Sequence, residues 1–161
     1  MLKTLISEFS RLKIRSAAIG GFALGVLGAP RQTMDLDFLV HRDDLEKLDK
    51  ALTALGYTRV FHSENVSQYC HPHTAWGSVD FIHAFRKISL AMLDRAKDYP
   101  ALGGKQRLRA VQPEDVIGLK VQAMFNDPER RTQEQIDIER LMAHYRDQLD
   151  WHRIQEYYEV F

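Results

Sequence analysis

The sequence predicts an α/β fold of the α+β kind: a mixed sheet with helices on one side, followed by a C-terminal helical region. Three observations point there. Segments with helical spacing and short strand-like runs follow one another in the order helix, strand, helix, strand, helix, strands. The runs Tyr57 to His62, Val66 to Cys70 and Ser78 to Ala84 extend a sheet begun by an earlier strand rich in aspartate. Beyond residue 112 the pattern is helical only, which divides the chain into a core over 1–111 and a helical region over 112–161 packed as a single compact unit.

Each element has its own local reason. Leu2, Leu5, Ile6, Phe9 and Leu12 recur at helical spacing and form an amphipathic first helix. Ala17 to Ile19 is a short apolar strand that runs into Gly20-Gly21 and a helix over Phe22 to Leu27. A Gly/Pro/Arg loop leads to the strand carrying Asp35 and Asp37. Leu45, Leu48, Leu52 and Leu55 line the next helix, which Gly56 stops. Ser-Glu-Asn joins two strands as a turn, and Ile88, Leu90, Met92 and Leu93 mark a further helix. Tyr99-Pro100 and Gly103-Gly104 break that helix. The second pair reads as a hairpin turn before the basic strand QRLRAV. Pro113, Glu114 and Asp115 suit the first turn of a helix, where no N–H is required and negative charge is favoured. The final helix, Asp150 to Phe161, places Trp151, Ile154, Tyr158 and Phe161 near one face for core or dimer packing.

The chemistry concentrates between Ala17 and Val40. Side chains alternate faces along a strand, so Asp35 and Asp37 project from the same side while Leu36 and Phe38 enter the opposite layer. Two carboxylates facing one small volume repel each other, and a divalent cation between them relieves the repulsion. Mg²⁺ fits, because it takes hard oxygen ligands and completes its shell with substrate phosphates. Gly20 and Gly21 let backbone N–H groups approach a phosphate at a helix N-terminus.

The arrangement of Gly-Gly, a helix, then Gly-x-x-Arg-x-Thr-x-Asp-x-Asp resembles the nucleotidyltransferase superfamily that shares the DNA polymerase beta type core. Within it the likeness is to small stand-alone enzymes of the abortive-infection and toxin type, and to aminoglycoside and lincosamide nucleotidyltransferases. The matching residues are Gly20, Gly21, Gly28, Arg31, Thr33, Asp35 and Asp37. The tail segments PEDVIGLKVQAMF and RRTQEQIDIERLM resemble the paired helices of the toxin-type members, so the likeness spans most of the chain.

The resemblance implies transfer of a nucleoside monophosphate from an NTP to a hydroxyl, dependent on Mg²⁺ or Mn²⁺, with release of pyrophosphate. It implies that Asp35, Asp37 and Asp80 form the catalytic and metal-binding set, Asp80 serving as a metal ligand or as the base. Gly20, Gly21, Arg31, Thr33 and Lys120 are implied in nucleotide binding, and Arg131 and Asp137 match later basic and acidic positions. Phe125-Asn126-Asp127 and Glu134-Gln135 depart from the pattern. The acceptor stays open between RNA, a protein and a small molecule. A non-catalytic module of the same fold, sensing nucleotide or binding a partner as in a toxin and antitoxin pair, is the alternative, with a homodimer or an antitoxin as possible partners.

Composition narrows the setting. The chain has 161 residues with 22 Lys+Arg against 22 Asp+Glu, so no overall basic field gathers nucleic acid or membrane. One cysteine excludes an internal disulfide, which suits a cytoplasmic protein, and no apolar run is long enough to span a bilayer. Cys70, His71 and His73, with His62 and His83 nearby, lack a second ligand pair at zinc spacing. Their loop is instead expected to border the acceptor pocket.

Overall fold

The computed structural model describes residues 1–161. In chain order the elements are α1 (Leu2–Arg11), β1 (Ser16–Ile19), α2 (Gly20–Val26), β2 (Leu36–His41), α3 (Leu45–Ala54), β3 (Thr58–His62), β4 (Val66–Cys70), β5 (Ser78–Ala84), α4 (Lys87–Arg95), β6 (Lys97–Ala101), β7 (Gln106–Ala110), α5 (Pro113–Asn126), α6 (Arg131–Tyr145) and α7 (Trp151–Val160). The seven strands form one mixed sheet in the order β3-β4-β5-β2-β1-β7-β6. The pairs β2–β5 and β1–β7 are parallel and the others antiparallel. The α+β class expected from the sequence is the class observed.

The central strand β2 is covered on both sides: Leu36, Phe38 and Val40 are buried on one face and Leu39 on the other. Phe38 packs edge-on against Phe9 of α1 with centroids 5.5 Å apart, and stacks with Phe81 of β5 at 5.8 Å. Tyr69 of β4 meets Phe81 edge-on and donates to Asp49 of α3 at 2.9 Å. Helices α1 and α3 therefore lie on the Phe38 face. Leu39 and Ile82 point the other way, where Met92 of α4 and Leu119 of α5 flank the same groove. Helices thus lie on both faces, not on one as expected from the sequence. Alternation alone does not say which helix takes which side.

One strand escaped the sequence reading. Residues Lys97–Ala101 form β6 and pair with β7, with Leu102, Gly103 and Gly104 at positive φ in the turn between them. Two charges and a proline obscure it, yet β6 is an edge strand, where a missing N–H costs no ladder bond. The α7 face also differs. Ile154 and Tyr157 are buried, whereas Trp151 and Tyr158 are exposed. Tyr157 fixes that rotation: its hydroxyl bonds to Asp115 and to Arg95, and its ring fills the space over Gly118, where a Cβ would clash. A single hydrophobic cluster runs from Leu2 to Tyr157 and draws on residues either side of position 112.

Candidate active site

The end of β1, the start of α2 and the first residues of β2 and β5 meet at one place. Ile19 pairs with Asp37 across β1–β2, and Asp37 pairs with Asp80 across β2–β5. Residues opposite one another in a ladder share a face, so Asp37 and Asp80 leave the same side of the sheet. Asp35, just before β2, accepts a hydrogen bond from Ser78 Oγ at 3.2 Å. Gln68, the register partner of Asp80 on β4, donates from Nε2 to Asp80 Oδ2 at 3.2 Å. Three carboxylates thus surround the N-terminal ends of two parallel strands.

The two glycines have a packing reason in the structure. Gly20 holds φ +61°, and a Cβ there would fall within contact distance of Asp37 Oδ2. A side chain on Gly21 would meet the methyl and hydroxyl of Thr33, at 2.6 Å from Cγ2. The pair makes room for Asp37 and for the Thr33 loop, while α2 begins at Gly20 itself and not two residues later. Thr33 Oγ1 lies 3.4 Å from the Asp35 carbonyl and shapes that loop.

Electrostatics mark Asp37. Burial, then the charges of Asp80 and Asp35, push its pKa up to about 6, opposed only at a distance by Arg130 and Lys120. Asp80 is raised as well, first by burial and then by Asp35, while the Gln68 hydrogen bond pulls it back. Negative charge is concentrated here without an adjacent counter-charge, the condition that a divalent cation relieves. The donors are all hard carboxylate oxygens, which fits Mg²⁺ or Mn²⁺. No trio of His, Cys, Asp or Glu side chains already converges as a preformed cage.

The basic residues gather behind this set. Lys120 is buried, with Nζ 2.7 Å from Glu134 Oε2 and 2.7 Å from Asp137 Oδ2. Arg31 Nε reaches Asp137 Oδ2 at 3.0 Å, and Arg130 Nη2 reaches Glu134 Oε1 at 2.6 Å. The resemblance implies that Lys120 binds nucleotide; in the structure its ammonium is shared between two carboxylates. Arg131 is exposed, and it is Arg130 that joins the network. Glu134, Arg130, Gln68 and Ser78 escaped the sequence reading. One signal was available for Glu134: with Asp137 it forms an i,i+3 acidic pair on one helix face, the counter-charge that a lysine between Leu119 and Val121 demands when buried.

The histidine loop is taken up by structure. His71 Nε2 lies 3.2 Å from the Leu55 carbonyl, its Nδ1 accepts from the His73 N–H at 3.0 Å, and its ring stacks on Trp76. His83 contacts the Glu64 carbonyl and Ser67 Oγ, and Cys70 is a free, exposed thiol.

Comparison with known proteins gives a consistent result. The family described as "Uncharacterised nucleotidyltransferase" matches residues 1–159. Among solved structures, the antibiotic-resistance factor ANT(2'')-Ia is similar with a TM-score of 0.74 at 11% identity, over 99% of this chain and 88% of that one. The lincosamide antibiotic adenylyltransferase LnuA, solved with lincomycin bound, is similar with a TM-score of 0.64 at 15% identity, over 89% and 95% respectively. An antigenic nucleotidyltransferase-like protein from Paracoccidioides brasiliensis gives 0.59 at 18% identity, over 97% and 83%. Identities this low establish a shared fold. No curated protein matches by sequence.

Proposed function

The chain belongs to the family of uncharacterised nucleotidyltransferases, so its class of chemistry is nucleotidyl transfer, and on that premise we propose a Mg²⁺- or Mn²⁺-dependent transfer of NMP from an NTP to a hydroxyl acceptor. The observation that carries this reading is the Asp37–Asp80 register pair with Asp35 beside it. Asp35 and Asp37 would hold the divalent cation, with Asp80 beside them as the base. When bound, that cation neutralises charge on the phosphates and on the attacking oxygen.

The remaining steps fall to the chain's own groups. Backbone N–H groups at Gly20 and Gly21, with Thr33 and Arg31 on the neighbouring loop, orient the phosphates. Lys120 contributes positive potential through the Arg31–Asp137 and Glu134 network, and contacts phosphate only if it leaves a carboxylate. Asp80 takes the acceptor hydroxyl proton, and burial, which raises its proton affinity, suits a base. The acceptor oxygen bonds to the α-phosphorus, the bond from that phosphorus to the bridging oxygen breaks, and pyrophosphate leaves with the electron pair.

The adenylyltransferase LnuA and the ANT(2'')-Ia complex with adenylyl-2''-tobramycin support a small-molecule acceptor over RNA or protein, as does the absence of a basic surplus. The alternative, a non-catalytic module such as a toxin–antitoxin component, gains support from the occupied Lys120. The exposed Trp151 and Tyr158 would serve such a partner, or a second copy. No helix is long and apolar enough to cross a membrane. The test is incubation with each labelled NTP, a divalent cation and a cell extract, followed by identification of what carries the label; absence of any transfer favours the alternative.

A further inference from the structure

The row of polar side chains at the site continues into an apolar one. On β4, β5 and β2 the register sets Gln68 beside Asp80 and Asp80 beside Asp37. Two residues further along the same strands it sets Val66 beside Ile82 and Ile82 beside Leu39. Steps of two keep the face, so the apolar row lies about 7 Å from the carboxylate row on the same side of the sheet. There it floors a groove of about 740 Å³, walled by Met92 of α4 and Leu119 of α5. A cavity of this size suits a drug-sized ligand.

The side-chain charge of the groove is one-sided. No aspartate or glutamate side chain lines it, and Arg86 and Lys87 stand at its rim. Arg86 reaches Asn65 Oδ1 at 3.3 Å and lies over the Phe85 ring, but has no carboxylate partner, and Lys87 is exposed. His83 at its edge is held toward the neutral form by burial. The groove shares no lining residue with the pocket that Gly21, Arg31 and Thr33 line, the side assigned to the phosphates, and it starts two residues along β2 and β5 from Asp37 and Asp80. In-line displacement places the entering hydroxyl and the leaving pyrophosphate on opposite sides of the phosphorus.

We propose that this groove is the acceptor site and that it takes a hydroxyl-bearing small molecule with an apolar body and an anionic group, not a polycationic amine. The inference rests on the nucleotidyltransferase reading above. It disfavours aminoglycosides, because several ammonium groups would face two rim cations with no aspartate or glutamate side chain in the lining to receive them.

The probe for the test is anilinonaphthalene sulfonate, an apolar anion, titrated by fluorescence and calorimetry into the full chain alongside Mg²⁺-NTP. The expected result is saturable binding that Lys87→Glu and Arg86→Gln/Lys87→Gln each weaken about tenfold or more, comparable to loss of a charged partner. Gln122→Trp, which fills the groove from α5, should abolish it. Tobramycin should not displace the probe, all variants should keep parental Mg²⁺-NTP affinity, and the saturating probe should suppress label transfer. Lys87→Glu changes an exposed residue and keeps the test open if the double variant folds poorly. Probe affinity unchanged in the charge variants, displacement by tobramycin, or undiminished transfer overturns the proposal. Loss of Mg²⁺-NTP affinity in the charge variants also overturns it, since the cations then serve the nucleotide. If the probe behaves as expected but the parent binds no Mg²⁺-NTP, the groove's selectivity is supported and the catalytic reading fails.

Discussion

Asp37 and Asp80 pair across two parallel strands and point from the same side of the sheet, with the half-buried Asp37 pushed up to a pKa of about 6 by burial and by the charges of Asp80 and Asp35. A fold that holds two acids together at such cost stores repulsion that a cation or a proton relieves.

Stability should therefore follow the Asp37 proton. Its folded pKa of about 6 lies above the model-compound value of 3.8, so the folded state binds the proton more tightly. The resulting stabilisation is present below the unfolded pKa and is lost as pH rises through about 6. At roughly 1.4 kcal/mol per pH unit, the loss approaches ~3 kcal/mol by pH 8. Asp37→Asn should be the more stable protein at pH 8 without divalent cations, and the advantage should vanish near pH 4. Urea melts across that range check it, and parallel curves for the two proteins contradict it.

Asp80→Asn separates binding from chemistry. The amide keeps size but loses basicity, so Mg²⁺-NTP affinity should stay within severalfold while transfer falls by about 10² or more. Calorimetry and label transfer on one preparation decide the matter; near-parental transfer means that the proton goes elsewhere.

Lys120→Met should leave Glu134 and Asp137 facing each other in a buried site. The expected cost is ~3 kcal/mol or more, as for a buried ion pair that loses one partner. Glu134→Gln in the same chain should recover part of it. Thermal melts of the single and double variants measure the coupling, and additive effects would show that the residues act independently.

Gly20→Ala combines positive φ with a Cβ against the Asp37 carboxylate. A destabilisation of about 1–3 kcal/mol is expected, together with weakened metal-dependent NTP binding as Asp37 shifts. A variant with parental Mg²⁺-NTP affinity means that Asp37 tolerates displacement.

The strands and carboxylates were legible because period-2 alternation and the Asp-x-Asp spacing are local signals. Asp80 was placed opposite Asp37 only through a resemblance, since strand register joins residues far apart in sequence. The counter-ions of Lys120 were less legible: Glu134 and Asp137 sit on another helix, and nothing local to Lys120 shows which face it buries. The edge strand at Lys97–Ala101 was hidden by Pro100, and the rotation of α7 by the contest between Tyr157 and Tyr158, one residue apart on the helix. Tertiary contacts with Asp115, Arg95 and Gly118 decided that contest.

The central claim is nucleotidyl transfer that depends on the carboxylate set. The most direct measurement compares α-labelled with γ-labelled NTP, each incubated with the protein, Mg²⁺ and a cell extract, for the parent and for Asp37→Asn. The account predicts that label from the α position reaches an acceptor, that label from the γ position appears only in pyrophosphate, and that Asp37→Asn transfers neither. Transfer of the γ label to an acceptor, or α-label transfer that persists at the parental rate in Asp37→Asn, would contradict it.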